Sequence, residues 1–279
     1  MLSSPKFVVL FSRRCPLTAS TVFTDWALIL GASSGFGAAT SRVLAHRGMN
    51  IVGIHLDSKA TMPNAEAVRA DIEAAGRQAI FLNMNAASAE KRASAIEKMT
   101  AAGVKVKVML HSLAFGSLKP MIGESREESL NQKQLEMTLD VMANSLVYWV
   151  QDLLWANLFA DDARIFSMTS EGNQRIMPHY GAVSAAKVAL ESYTRQLAVE
   201  LAPYNIKVNC IQAGVTDTPA LRAIPGNVEM IEGARRRNPY RRLTTPDDVA
   251  HAIAELARPG LAWMTGNVIR VDGGEFLVP

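Results

Sequence analysis

The stretch Ala27-Leu28-Ile29-Leu30-Gly31-Ala32-Ser33-Ser34-Gly35-Phe36-Gly37 decides the fold. Its apolar run reads as a strand buried on both faces. A glycine-rich turn follows, and from Ala38 to His46 the pattern becomes helical until Gly48 stops it. A strand that turns through glycines straight into a helix lets the backbone approach a phosphate and aims free N–H groups and a positive dipole end at it. The spacing is G-x-x-x-G-x-G rather than the commoner G-x-G-x-x-G, and glycines alone fit an ordinary βα turn equally well. The strand before and the helix after favour a dinucleotide pyrophosphate site made by Gly31, Ser33, Ser34, Gly35, Phe36 and Gly37.

Outward from this unit the chain keeps alternating. Strands are expected at Ile51–His55, Gln78–Met84, Val104–Leu110, Arg164–Met168, Ile206–Ile211 and Asn267–Val271. Between them lie helical patterns near Asn64–Ala75, Ser88–Ala101, about Leu130–Asn157, Tyr180–Leu201 and Asp247–Leu256, with Ala213–Arg242 irregular. Alternation of this kind implies βαβ units, hence an α/β, doubly wound (Rossmann) seven-stranded parallel sheet with helices on both faces. No linker-like run interrupts it after residue 25, so residues 25–279 read as a single domain.

Bulk properties narrow the function. A net charge of +3 over 279 residues is too small for a nucleic-acid binder, which needs a dense basic stripe. No apolar run reaches the ~18 residues that span a bilayer. The two cysteines, Cys15 and Cys210, read as reduced thiols of a cytoplasm-like compartment. Residues 1–24 form an acid-poor extension with Lys6, Arg13 and Arg14; a transit peptide and a plain unstructured or misassigned start both fit it. No metal site is expected, because His111 has no second ligand at metal-binding spacing.

After the second strand, His55 and Asp57 should reach the adenosine ribose. A carboxylate there bonds the 2′-hydroxyl and repels a 2′-phosphate, so Asp57 leans toward NADH, while Lys59 and His55 oppose it. Tyr180 and Lys187 stand seven positions apart, close to the same face of a helix. Together they make a candidate acid beside a cation that would tune it.

With these residues in place the chain resembles the short-chain dehydrogenases/reductases, and within them the enoyl-acyl-carrier-protein reductases. The resemblance spans about residues 26–275. It rests on the Gly31–Gly37 loop, His111-Ser112-Leu113-Ala114-Phe115, Asn144, Tyr180 with Lys187, Ala213-Gly214 through Thr218, and Val271-Asp272-Gly273-Gly274. The superfamily's usual Tyr-x-x-x-Lys would need a tyrosine at position 183, where Val183 stands; Tyr-x6-Lys is the enoyl-reductase spacing.

The resemblance implies NAD(P)H as cofactor and a trans-2-enoyl thioester as substrate. Tyr180 would contact the thioester carbonyl, and Lys187 would bind the nicotinamide ribose. Asn85, Ala86, Ser112, Leu113, Ala114, Gly214, Val215 (through its backbone) and Thr218 would line the cofactor. Asn144 would hold its helix open and keep a water linked to the lysine, although an ordinary core amide fits as well. Thr169 and Ser170 occupy the serine's place, and a second tyrosine common there is absent; either hydroxyl can donate to the substrate or merely cap a turn. A substrate-covering segment of about 218–242 carries Arg235, Arg236, Arg237, Arg241 and Arg242, either a solvated face or a dock for an acidic acyl carrier protein. A homotetramer is expected. Alternatives are a carbonyl reductase of the 3-oxoacyl or hydroxysteroid type and a non-catalytic dinucleotide sensor.

Overall fold

In β1 (Trp26–Leu30) successive side chains point to opposite faces, and both faces are covered. Trp26, Leu28 and Leu30 pack into one core with Leu146, Trp149 and Leu190, whereas Ala27 and Ile29 pack into a second with Leu44, Ile72 and Ile253. Burial of each large aliphatic side chain contributes about 1.5–3 kcal/mol, so the two cores fix β1 at the centre. The computed structural model describes residues 25–279; Cys15 and the 1–24 extension lie outside them.

The seven strands are β1, β2 (Asn50–His55), β3 (Ala79–Asn83), β4 (Val106–His111), β5 (Phe159–Ser170), β6 (Lys207–Ala213) and β7 (Val268–Val271). They form one parallel sheet in the order β3-β2-β1-β4-β5-β6-β7. Chain order reverses between β1 and β4, and in open α/β sheets the crevice at that reversal, beyond the strands' carboxyl ends, is the ligand site. The helices are α1 (Gly35–His46), α2 (Met62–Ala74), α3 (Ala89–Ala101), α4 (Gln132–Leu139), α5 (Ser145–Trp155), α6 (Gly181–Glu200), α7 (Pro219–Arg222), α8 (Asn227–Arg237) and α9 (Pro246–Leu256). Among the described residues no helix is long and apolar enough to cross a membrane.

Four boundaries differ from the sequence expectation. Helix α1 starts at Gly35, inside the glycine loop, because glycine costs little before the first closed turn. The expected 130–157 helix is two helices joined by a π-turn, Asp140–Asn144. Strand β5 extends back to Phe159 because it pairs with β4 there and with β6 from Arg164 to Ser170. Its polar start hid it: Asp162, at φ 55, ion-pairs with Arg164 and Lys207. Finally, the irregular 213–242 stretch holds α7 and α8. Only Ala234 of α8 is buried, so that helix has no apolar stripe to read.

Candidate active site

At the reversal, Gly31 takes φ 91, and a Cβ there would lie 2.3 Å from the Ser112 carbonyl oxygen. A Cβ on Gly37 would lie 2.0 Å from the Gly31 carbonyl oxygen. The loop therefore folds against the ends of β1 and β4, and Ser112 N–H donates to the Leu30 carbonyl at 2.9 Å to hold it there. Ser34 caps α1 without a side-chain bond, and the first turn carries no acid. Free N–H groups at a helix N-terminus with no acid in its first turn fit a pyrophosphate. Ser33, Ser34 and Gly35 line a groove of about 420 Å³ with Pro219 and Asp247. Phe36 is half-buried against the core on the α1 side.

At the end of β2 the Asp57 carboxylate meets His55 Nδ1 at 2.8 Å. Burial raises its pKa, but hydrogen bonds from Thr61, Ser33 and His55 outweigh this and lower it. An ionised carboxylate beside the glycine loop fits a ribose hydroxyl better than a phosphate. Further along, Asn85 Oδ1 accepts from Ala87 N–H, and the Ala86 carbonyl accepts from the Trp149 indole at 2.9 Å. Both residues brace the turn after β3 with these groups. Leu113 packs near Gly31, and Ala114 is exposed at the rim.

Tyr180 and Lys187 both reach the end of β5. Lys187, 7% exposed, donates through Nζ to the Met168 carbonyl at 2.8 Å. Burial pulls its pKa down to about 8. Tyr180 is buried as well, its ring against Gly172, where a Cβ would come within 2.5 Å of Cε1. Tyr180 and Lys187 are not two positions of one helix. Tyr180 is the N-cap of α6, preceded by His179 at φ 62, so the incoming loop rather than helix periodicity aims it. Nor does the lysine tune the phenol: burial raises the Tyr180 pKa, and the Ser170 hydroxyl lowers it. Lys187 acts instead on His111, which burial and that charge push down to about 3. His111 Nε2 lies 2.8 Å from Ser145 Oγ, which donates to the Val141 carbonyl.

The remaining candidates separate. Ser170 accepts the Gly172 N–H at 3.2 Å as a turn cap, and its hydroxyl is near enough to Tyr180 to lower the phenol's pKa. Thr169 points the other way and donates to Glu191 at 2.8 Å, as strand alternation requires. Its donor is spent, which removes it from the carbonyl-binding pair. Asn144 ends the π-turn that opens the helix, and its Oδ1 accepts from Tyr193 at 2.9 Å. Gly214 is tightly enclosed, and Thr218 caps α7 through Leu221 N–H while touching Gly35. The Val215 N–H donates to Glu275 at 3.2 Å. Among the described residues no cluster could hold a metal.

A second correction concerns the basic run. Arg237 turns inward onto Glu171 and Glu275, and Arg242 pairs with Asp248. Arg235 and Arg236 are the exposed members of the α8 run. Sequence reading missed Glu171 and Glu275 altogether. The available signal was position: Glu171 follows Ser170 directly, and Glu275 follows Asp272-Gly273-Gly274.

Residues 31–275 match the family described as Enoyl-(Acyl carrier protein) reductase. The chain is similar to the 1-cyclohexenylcarbonyl-CoA reductase of Streptomyces collinus, 28% identical over 255 residues that cover 90% of this chain and 87% of that one. It is also similar to an enoyl-[acyl-carrier-protein] reductase [NADH] of a Nostoc species, 30% identical over 197 residues, 70% of this chain and 74% of that one. A short-chain dehydrogenase of Burkholderia cenocepacia, solved in complex with NADP, shares the fold with a TM-score of 0.78 and 26% identity, over 92% of this chain and 99% of that one. A match that runs from the glycine loop to the turn after β7 identifies the chain as an NAD(P)-binding oxidoreductase of the short-chain dehydrogenase/reductase superfamily, belonging to its enoyl-(acyl carrier protein) reductase family.

Proposed function

We propose that the protein reduces the 2,3 double bond of a trans-2-enoyl thioester, the enoyl-acyl-carrier-protein reductase step of fatty-acid elongation. The observation that carries this reading is Tyr180, buried at the N-cap of α6 beside the end of β5, seven positions before buried Lys187. NAD(P)H, when bound, supplies the hydride. The Gly31–Gly37 loop and the α1 N-terminus bind the pyrophosphate, Asp57 the adenosine ribose and Lys187 the nicotinamide ribose. A raised pKa keeps the Tyr180 hydroxyl protonated at neutral pH. It is thus a hydrogen-bond donor for the thioester carbonyl, placed where negative charge collects as C3 is reduced. Ser170 supports that hydroxyl and α8 helps to exclude water.

Asp57 favours NADH on this reading, although the Nostoc relative is an NADH enzyme and the Burkholderia cenocepacia structure holds NADP. The exposed Arg235 and Arg236 suit an acidic acyl carrier protein, whose approach they would speed at low salt. A carbonyl reductase is the second reading, favoured by the Ser170 hydroxyl beside Tyr180. Crotonyl and acetoacetyl thioesters, each assayed with NADH and NADPH, separate the two. Faster turnover of the enoyl compound is expected; turnover of the acetoacetyl compound alone overturns the proposal. Tyr180→Phe should lower kcat by a factor on the order of 10² or more.

A further inference from the structure

Glu171, Arg237 and Glu275 come from three distant parts of the chain: the turn after β5, the last turn of α8 and the turn after β7. Arg237 Nη2 lies 3.2 Å from Glu171 Oε1 and 3.3 Å from Glu275 Oε1. Glu275 is 1% exposed and Glu171 6%. Arg175 Nε adds a second cation 3.4 Å from Glu171, so two carboxylates face two guanidinium groups. The other oxygen of Glu275 accepts the Val215 N–H at 3.2 Å. It also stands against Gly214, where a Cβ would lie 2.9 Å from it.

Full burial of a carboxylate is costly unless it is paired and hydrogen-bonded. Glu275 is both, and each bond leads to a part of the proposed site. One oxygen fixes the segment that leaves β6. The other reaches Arg237, the residue by which α8 is tied to the turn beside Ser170 and Tyr180.

We propose that Glu275 is a positioning residue: it clamps the Gly214–Thr218 segment through the Val215 N–H and, through Arg237, holds α8 closed beside Tyr180. The proposal rests on reading Gly214–Thr218 as part of the dinucleotide site. Cofactor binding would then depend on a residue that does not touch the cofactor.

Two variants separate the two bonds. Glu275→Gln keeps an acceptor for Val215 N–H and loses the charge that Arg237 needs; Glu275→Ala loses both. Backbone amide exchange of the unliganded protein reads the clamp, and fluorescence titration with NADH and with NADPH reads its consequence. In Glu275→Ala, exchange should rise in both 214–218 and 227–237, and dinucleotide Kd should rise at least about fivefold, as expected for a lost buried partner. Glu275→Gln should loosen 227–237, spare 214–218 and recover most of the affinity. Arg237→Met should reproduce the Glu275→Gln exchange pattern without altering 214–218. Unchanged exchange in both segments of a folded Glu275→Ala protein overturns the clamp. So does an equal loss of protection everywhere, which would mark a merely structural carboxylate. If the unaltered protein binds neither nucleotide, the site reading fails, while the exchange data still decide whether the clamp exists.

Discussion

The two ends of the proposed site are built from different materials. The nucleotide end is backbone: glycines without room for a Cβ, free N–H groups of α1 and one carboxylate. The end around Tyr180 is buried side-chain chemistry, with Lys187, Glu171, Glu275 and Arg237 placed by several remote elements. A backbone site depends on free N–H groups and on space rather than on the charge of any one side chain. A side-chain site is the reverse, since each group is stable only in its present company.

The harshest way to break that contrast is Gly37→Ala. Its Cβ would sit 2.0 Å from a backbone oxygen that cannot move without opening the loop. Dinucleotide affinity should fall at least about 100-fold, measured by fluorescence titration, because strain in a packed loop costs several kcal/mol. Retained affinity would mean that the glycine loop is not the phosphate site.

The next effect belongs to the charged end and depends on pH. Burial brings Lys187 from 10.5 to about 8, so its ammonium form is lost as pH rises through about 8. If that charge serves the reaction, kcat/KM should decline about tenfold per pH unit above that value. Stability runs the opposite way. Between about 8 and 10.5 the unfolded chain holds the Lys187 proton more than the folded one does, so this residue's contribution to stability rises with pH across that window. Falling activity beside a rising contribution, the latter absent in Lys187→Met, would separate the lysine from general alkaline unfolding. A flat kcat/KM profile from pH 7 to pH 9.5 would remove Lys187 from the chemistry.

The smallest effect sharpens the contrast at its one exception, the carboxylate at the nucleotide end. Asp57→Asn removes the ion that faces His55 and the ribose position. The ratio of Kd values for NADPH and NADH should shift toward NADPH by about tenfold, since a like charge at close range is costly. No shift would place cofactor choice elsewhere, with Ser33 or Lys59 as the next residues to change.

The same contrast explains what could be read in advance. The alternation of apolar runs and helical patterns follows from period, and period survives without neighbours, so strand count, sheet class and the glycine loop were all legible. Helix α8 was not, because a helix with one buried residue leaves no stripe. Thr169 and Ser170 could not be told apart either. Adjacent residues on a strand face opposite ways, and only the placement of Glu191 and Tyr180 says which faces the site. Arg237 was misread, and the bond to Val215 N–H missed, for one reason: the partner of both, Glu275, lies far along the chain.

What the sequence determined by itself is the doubly wound sheet, the glycine-rich βα turn and the Tyr180 to Lys187 spacing, since each depends on residues near one another in the chain. What only the tertiary structure decided is the company those residues keep. Tyr180 is aimed by a loop against Gly172 and beside Ser170, the Lys187 pKa is depressed by burial near His111, and Glu275 is seated between Val215 and Arg237. Burial and ion pairing are set by distances between elements, and such distances have no period to read.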